Sequence, residues 1–287
     1  MLLLVFANPT MQASHKQSNN STSMFVQSLL NSKKGDEVMG LHRIKQYLVK
    51  YGYLSPSHVH TDTNNEGNFD DALEEAVKKY QVFFHLNVSG VLDSKTLSLM
   101  DTSRCGNSDH THVEKYQHHF HGTNITNSFY LPSNKKWNKI SLSYAIQSGT
   151  RSDVIAQIWI ALATWDMVSP LTFVDRSNDF SNADLKFSFF QREHGDGHPF
   201  DGPGKVLAHA FYPPNGEIHF DADENLVVGE VPDGIDISSL ALHELGHAIG
   251  LVHSNIESSI MWPYMSPGIV KGLHIDDVHA IRALYPL

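Results

Sequence analysis

Apolar residues in the first third of the chain recur at helical spacing. One face is apolar between residues 38 and 54, and a second stripe runs from about Asp70 to Phe84. A shorter helix is predicted after Asp93, a residue type that often caps helix N-termini. We therefore predict a small three-helix domain over residues 36–101. Its core stripes are Leu41, Ile44, Leu48 and Tyr51, and Leu73, Ala76, Val77, Tyr80 and Phe84.

The pattern changes near Phe129 to a mixture of strands and helices. Alternating apolar and polar residues predict a strand at 140–146, and an amphipathic helix follows over 152–166. Further strands are predicted at 171–174, 185–189, 205–211 and 217–221, and further helices at 237–251 and 275–284. This mixture predicts an α/β domain built on one sheet.

Two polar segments flank the helical domain. Residues 110–128 are rich in histidine without the spacing of a defined metal site, so we predict a solvated linker, with adventitious metal binding as the alternative. At the start, Met1–Ala7 is apolar but short, which is typical of a partial signal peptide. The rest of residues 1–35 has the composition of a disordered leader.

Composition narrows the functional classes. The net charge of −10 argues against nucleic acid as the main partner. No apolar stretch is long enough to span a membrane, and no membrane anchor is expected. The 19 histidines favour metal binding, and the single cysteine, Cys105, excludes an intrachain disulfide. Sequons at Asn20, Asn87 and Asn124 would permit glycosylation in a secretory compartment.

The strongest chemical signal is the segment His243-Glu-Leu-Gly-His247 in a predicted helix. Histidines four apart lie on one helical face, so both imidazoles can reach one zinc ion. Gly250 permits a turn that most residues avoid, and this turn can return His253 as a third ligand. Three histidines leave a fourth tetrahedral position open, as in catalytic zinc sites. Glu244 is predicted to act as general base toward water in peptide hydrolysis.

This extended motif, followed by Ser254 and by Met261 in Ser-Ile-Met-Trp-Pro263, resembles that of the metzincins and, within them, the matrixins. The resemblance implies a secreted zinc- and calcium-dependent endopeptidase whose twisted, mostly parallel sheet carries three helices. It also implies that Met261 forms a turn beneath the zinc. Segments 41–48 and 90–97 are similar to the family's peptidoglycan-binding-like prodomain, which we interpret as inhibitory. The short gap between His209 and His219 is similar to that of plant matrixins.

The same resemblance implies two further metal sites between residues 194 and 224. The implied ligands of a structural zinc are His194, Asp196, His209 and His219. The implied ligands of calcium are the carboxylates of Asp201, Asp221 and Glu224, with backbone carbonyls near Gly202, Gly204 and Val206. Histidine with carboxylate suits zinc, and an all-oxygen set suits calcium. An ordinary acidic surface loop is the alternative.

The segment Arg104-Cys105-Gly-Asn-Ser-Asp109 is similar to the family's cysteine switch, in which a propeptide thiolate takes the fourth zinc position. Arg104 and Asp109 would pair to hold this loop while Cys105 keeps the precursor latent. Ser103 and Ser108 depart from the family pattern. The chain is accordingly divided into a leader (1–35), an inhibitory prodomain (36–109), a linker (110–128) and a catalytic domain (129–287).

The resemblance also implies a mode of substrate binding. Leu207 and Ala208 would belong to the edge strand that pairs with an extended peptide. Leu240, Pro263 and Tyr264 would line an apolar pocket, so cleavage before Leu, Ile, Met or Phe is expected.

Activation is expected to require another protease and to give a monomer. Phe129 is the candidate mature N-terminus, and its ammonium would pair with Asp276. The alternatives are a catalytically silent matrixin-like binding protein and a cell-wall-binding module with the helical domain as its working part.

Overall fold

The computed structural model describes residues 28–59, 67–109 and 135–286. Most of the predicted leader, the histidine-rich linker, Phe129 and the sequons at Asn20 and Asn124 lie outside the described residues. Two hydrophobic cores organise the described chain, one in an N-terminal helical region and one in a C-terminal α/β region.

Three α-helices build the described part of the N-terminal region: α1 (Leu41–Lys50), α2 (Asp71–Phe83) and α3 (Ser94–Asp101). Asp70 and Asp93 cap α2 and α3, each accepting a hydrogen bond of 2.8 Å from the backbone N–H three residues later. The predicted stripes form the core, in which Leu41, Leu48, Leu73 and Tyr80 are fully buried. The prediction of a small three-helix domain is confirmed.

The main sheet of the C-terminal region has six strands, of which the first comes from the end of the helical region. The strands are β1 (Arg104–Cys105), β2 (Ser141–Ile146), β3 (Thr172–Asp175), β4 (Leu185–Phe190), β5 (Val206–Ala210) and β6 (Glu217–Asp221). Their order is β1-β5-β6-β4-β2-β3, and neighbours are parallel except for β5 with β6. The expected mostly parallel sheet is therefore confirmed. Two short strands, β7 (Leu226–Val227) and β8 (Ile235–Asp236), pair separately.

Three helices accompany this sheet within the described residues: α4 (Ser152–Val168), α5 (Ile237–Ala248) and α6 (Ile275–Leu284). Trp165 of α4 is fully buried, and its indole N–H donates to the carbonyl of Leu242 in α5 at 2.9 Å. This hydrogen bond links α4 to α5 inside the close-packed core. No described helix is both long and apolar enough to cross a membrane.

The helical and α/β regions share an extensive interface. Trp262 and Tyr264, from the loop after α5, are buried in the core of the helical region. On the other side, β1 pairs in parallel with β5, and Lys205 forms an ion pair with Asp101 at the end of α3. The periodicity of the sequence did not predict β1, because two residues carry no detectable pattern.

Candidate metal centre and active site

Helix α5 presents two imidazoles to one point. The rings of His243 and His247 lie 4.8 Å apart between centroids, and their Nε2 atoms are 3.2 Å apart. Their Nδ1 atoms point away and donate to the backbone carbonyls of Ile260 at 2.6 Å and Leu251 at 2.7 Å. Burial lowers the pKa of both histidines well below the usual value, so both stay neutral and able to bind a metal.

A glycine turn brings the third imidazole to the same point. Helix α5 ends at Ala248, three residues before the predicted end, and Gly250 follows with a φ of 113°. A side chain at this position would collide with the carbonyl of Lys135 and lie 2.8 Å from Leu284 Cδ2. After the turn, the ring of His253 stands 5.2 Å from that of His243 and 4.6 Å from that of His247.

Cys105 completes a cluster with these three histidines. One ligand atom from each of the four buried residues lies within 4.8 Å of the others. Burial and the neighbouring Glu244 raise the pKa of the thiol, which implies that the thiolate needs a cation beside it. Three neutral imidazoles and one sulfur form a donor set that zinc prefers.

Glu244 lies next to the cluster and is fully buried. Its carboxylate oxygens have no nitrogen or oxygen partner among the residues that the structure describes, and the Cys105 thiol contacts it. Burial raises its pKa to about 8. A buried carboxyl group of this kind is suited to exchange a proton with a water or an amine in the same cleft.

The loop after His253 packs against helix α5. Met261 is buried, and a side chain placed on Gly246 of α5 would clash with its sulfur and lie 3.2 Å from its methyl carbon. Asp277 of α6 anchors this loop by accepting hydrogen bonds from the backbone N–H of Ile260 at 2.9 Å and of Met261 at 3.3 Å. Met261 thus lies against α5, the helix that carries His243 and His247.

A second group of donors converges around one carboxylate oxygen. Asp196 Oδ2 lies 2.9 Å from His194 Nε2, 2.7 Å from His209 Nε2 and 2.9 Å from His219 Nδ1. Burial lowers the pKa of His209 to about 4 and also lowers that of His219, so these rings are neutral at physiological pH. Three imidazoles and one carboxylate again fit zinc.

A third group of side chains consists of carboxylates and lies between the loop before β5 and the end of β6. Burial raises the pKa of Asp201, of Asp221 and of Glu224, the last to about 7, and neighbouring carboxylates raise those of Asp221 and Glu224 further. Asp221 Oδ2 is buried without a hydrogen-bond partner among the described residues. Glu224 accepts from the N–H of Gly204 at 2.6 Å, and Asp201 from that of Val206 at 3.2 Å. A cation with oxygen ligands would relieve this repulsion.

Arg104 and Asp109 form the expected ion pair, entirely buried. Asp109 also accepts from the Tyr53 hydroxyl at 2.8 Å and from His253 Nδ1 at 2.7 Å. The pKa of Asp109 lies well below its usual value, because Arg104 and His253 together outweigh the effect of burial. The charges of the pair are therefore retained inside the interface.

Two of the residues expected to bind substrate, Ala208 and Pro263, pair through their backbone with the segment that contains Cys105. The N–H of Gly106 donates to the carbonyl of Ala208 at 2.8 Å, and the N–H of Cys105 donates to that of Pro263 at 2.9 Å. Leu207 and Leu240 are fully buried. This segment runs parallel to β5, with Arg104 opposite Val206 and Cys105 opposite Ala208.

Tyr264 differs from its expected role as a pocket wall, because in this structure it faces the helical region. Its hydroxyl shares hydrogen bonds with the hydroxyls of Tyr47 at 2.7 Å and Tyr80 at 2.6 Å, and Arg104 Nη1 donates to it at 3.3 Å. Sequence reasoning missed the role of these two tyrosines, since Tyr80 was assigned to the core stripe of α2 and Tyr47 lies outside the stripe predicted for α1. It also missed Asn107, whose amide pairs with both the N–H and the carbonyl of Ala210.

Comparisons with known proteins agree with this geometry. The Matrixin family model matches residues 136–286, and that of the putative peptidoglycan binding domain matches residues 40–100. The chain is 38% identical to Metalloendoproteinase 1-MMP of Arabidopsis thaliana, over 93% of this chain and 74% of that protein. It is 36% identical to Metalloendoproteinase 1 of Glycine max, over 88% and 83%. It is 34% identical to neutrophil collagenase of Homo sapiens, over 85% and 50%.

The fold and the histidine cluster define a zinc metalloendopeptidase, which acts on protein substrates. The chain belongs to the matrixin family. The alternative of a catalytically silent binding protein is not favoured, since Glu244 and the three histidines are all present and brought together.

Proposed function

We propose that this protein is a secreted matrixin made as a latent zymogen, which needs zinc and calcium and cleaves extracellular proteins before apolar residues. The observation that carries the proposal is the approach of Cys105 to His243, His247 and His253. In this arrangement the thiolate would occupy the metal position that the reaction requires, and the helical region with its connection (residues 36–109) would act as the inhibitory prodomain.

Zinc bound by the three histidines supplies Lewis acidity to the scissile carbonyl and to a water molecule. Glu244 takes a proton from the attacking water and later delivers a proton to the leaving amine. Departure of Cys105 is required first, because the thiol contacts Glu244 and fills the same space.

Substrate is proposed to replace the Cys105 segment along β5. The backbone of Ala208 and Ala210 would pair with an extended peptide, as it now pairs with Gly106 and Asn107. Leu240 and the Pro263–Tyr264 loop would then face an apolar side chain that follows the scissile bond.

His194, Asp196, His209 and His219 are proposed to hold a structural zinc, and Asp201, Asp221 and Glu224 to hold calcium with backbone carbonyls at Gly202, Gly204 and Val206. The unpartnered Asp221 oxygen and the raised pKa values of the three carboxyl groups support the calcium proposal. Removal of calcium by a selective chelator is expected to lower the melting temperature, and restoring calcium, but not magnesium, to return it. An unchanged melting temperature would count against this site.

Secretion and activation by another protease complete the proposal. The sequon residue Asn87 is exposed, as a glycosylated side chain must be. Cleavage before Phe129 is proposed to release a monomeric catalytic domain over residues 129–287.

The test is hydrolysis of a quenched peptide with Leu after the scissile bond. The full chain should be nearly silent, whereas the full chain with Cys105→Ala and the chain trimmed to begin at Phe129 should be active. A zinc chelator or Glu244→Ala should abolish that activity while the zinc-loaded Glu244→Ala chain remains folded. Absence of cleavage by the trimmed, zinc-loaded chain, with this peptide and with a mixed peptide library, would refute the proposal.

A further inference from the structure

The three histidines of the proposed zinc site obtain their orienting partners from different parts of the chain. His243 and His247 donate from Nδ1 to backbone carbonyls of the C-terminal region, those of Ile260 and Leu251. His253 instead donates from Nδ1 to the carboxylate of Asp109 at 2.7 Å. Asp109 follows directly after the Cys105 segment, so the third histidine depends on the region that activation is proposed to remove.

Asp109 is as deeply buried as His253, the histidine that it contacts. The side chains of Asp109 and His253 are both 0% exposed. One oxygen of the carboxylate receives the Arg104 guanidinium as well as His253, and the other accepts from the Tyr53 hydroxyl at 2.8 Å. A buried, charged acceptor forms a stronger hydrogen bond to an imidazole N–H than a neutral carbonyl does. It also favours the tautomer that presents Nε2 to a metal.

We propose that Asp109 is a positioning residue for the zinc ligand His253, so that the N-terminal region holds the metal of the latent chain in two independent ways. Cys105 binds the ion directly, and Asp109 orients and polarises His253. The inference rests on the zinc site of the proposed function. It implies that activation weakens zinc binding by more than the loss of the thiol ligand accounts for.

The expected loss of zinc affinity follows from the usual effect of such hydrogen-bond partners. Loss of a hydrogen-bond partner behind a zinc-bound histidine typically lowers metal affinity by about 10- to 100-fold. His243 and His247 keep their backbone carbonyls in any variant of Asp109, so an effect on zinc affinity that leaves the N-terminal region docked must pass through His253.

The experiment uses the full chain with Cys105→Ala, to remove the direct ligand, and Glu244→Gln, to prevent self-cleavage. Zinc dissociation constants are measured by competition with a chromophoric chelator, before and after adding Asp109→Asn. The expected result is a rise in the dissociation constant of one zinc site by about 10- to 100-fold. The matched control is Tyr80→Phe, which removes a hydrogen bond to Tyr264 in the same interface but touches neither Asp109 nor His253. This control should leave the constant unchanged.

A second measurement separates orientation of His253 from general loosening. In the zinc-loaded parent, the proton on His253 Nδ1 should be visible by NMR and slow to exchange with solvent, and Asp109→Asn should shift it and speed its exchange. Slow exchange of the Gly106 amide, which donates to Ala208, reports that the N-terminal region stays docked. If Asp109→Asn undocks the N-terminal region, the variant Asp109→Gly is measured in its place, with and without added formate. Formate is then expected to restore zinc affinity.

An unchanged zinc constant in Asp109→Asn, with Gly106 still protected, would overturn the inference, as would failure of formate to restore affinity. Neither result touches the proposed function. That function is tested separately by His243→Ala, which should abolish one of the zinc sites. If His243→Ala binds as much zinc as its parent, the proposed zinc site itself is wrong.

Discussion

Replacement of Tyr264 by Phe tests how the helical region is held over the active site. The change removes one buried hydroxyl and keeps the ring, which packs 5.1 Å from that of Phe84. The lost hydroxyl shares hydrogen bonds with those of Tyr47 and Tyr80, and both partners belong to the helical region. The substitution therefore weakens contacts across the interface and leaves the fold of each region intact.

The expected cost is about 1–3 kcal/mol, since a buried hydroxyl partner is left without its hydrogen bond. The lower half of this range applies if the Tyr47 hydroxyl is still satisfied by Arg104, which donates to it at 3.2 Å. A change of about 1–3 kcal/mol in the docking equilibrium raises the undocked fraction by about 5- to 150-fold.

The assay is alkylation of Cys105 in the zinc-loaded full chain, because the buried thiol reacts only when the region opens. The alkylation rate of Tyr264→Phe should exceed that of the parent by the same factor. The matched control is Tyr285→Phe, which removes a buried hydroxyl bonded to Trp137 and Ile249 within the α/β region. If Tyr264→Phe and Tyr285→Phe both alkylate at the parental rate while folded, the tyrosine contacts do not hold the region in place.

Two further predictions concern the catalytic region itself. Gly246→Ala should destabilise the fold by about 1–3 kcal/mol, because the added methyl group meets Met261. Gly272→Ala is the control and should be tolerated, because the space around this glycine is open. Denaturant unfolding compares the two variants, and equal stability would exclude the contact with Met261. Asp184 accepts from Ser143 and Lys139, and these hydrogen bonds, against the effect of burial, lower its pKa below 3.8. The charge of Asp184 therefore stabilises the fold above about pH 4, and this contribution is lost as the pH falls through the lowered pKa. The loss of stability caused by Asp184→Asn should accordingly shrink on acidification. A loss of stability that is independent of pH between about 6 and 2 would contradict this reasoning.

Local pattern was sufficient for most of the architecture and for the centre of the site. A helical face repeats every three to four residues, so the stripes of α1 and α2 and the spacing of His243 and His247 could be recognised without knowledge of the fold. The role of Gly250 was equally local, because only the backbone of glycine adopts its positive φ without strain. The family resemblance, carried by the same residues, is confirmed by the matches to matrixins.

The contacts that couple the two regions could not be obtained in this way. Tyr264 lies 217 residues from Tyr47 in the chain and 184 from Tyr80, and Asp109 lies 144 residues from His253. No periodicity links such positions, because their approach depends on how separately folded layers pack. Tyr80 looked like an ordinary core residue, Tyr47 lay outside the predicted stripe, and Asp109 looked like the partner of Arg104 alone. Local chemistry therefore specified which residues can bind metal and which can form the helices, whereas packing between distant segments decided which side chains cover, orient and restrain the metal site.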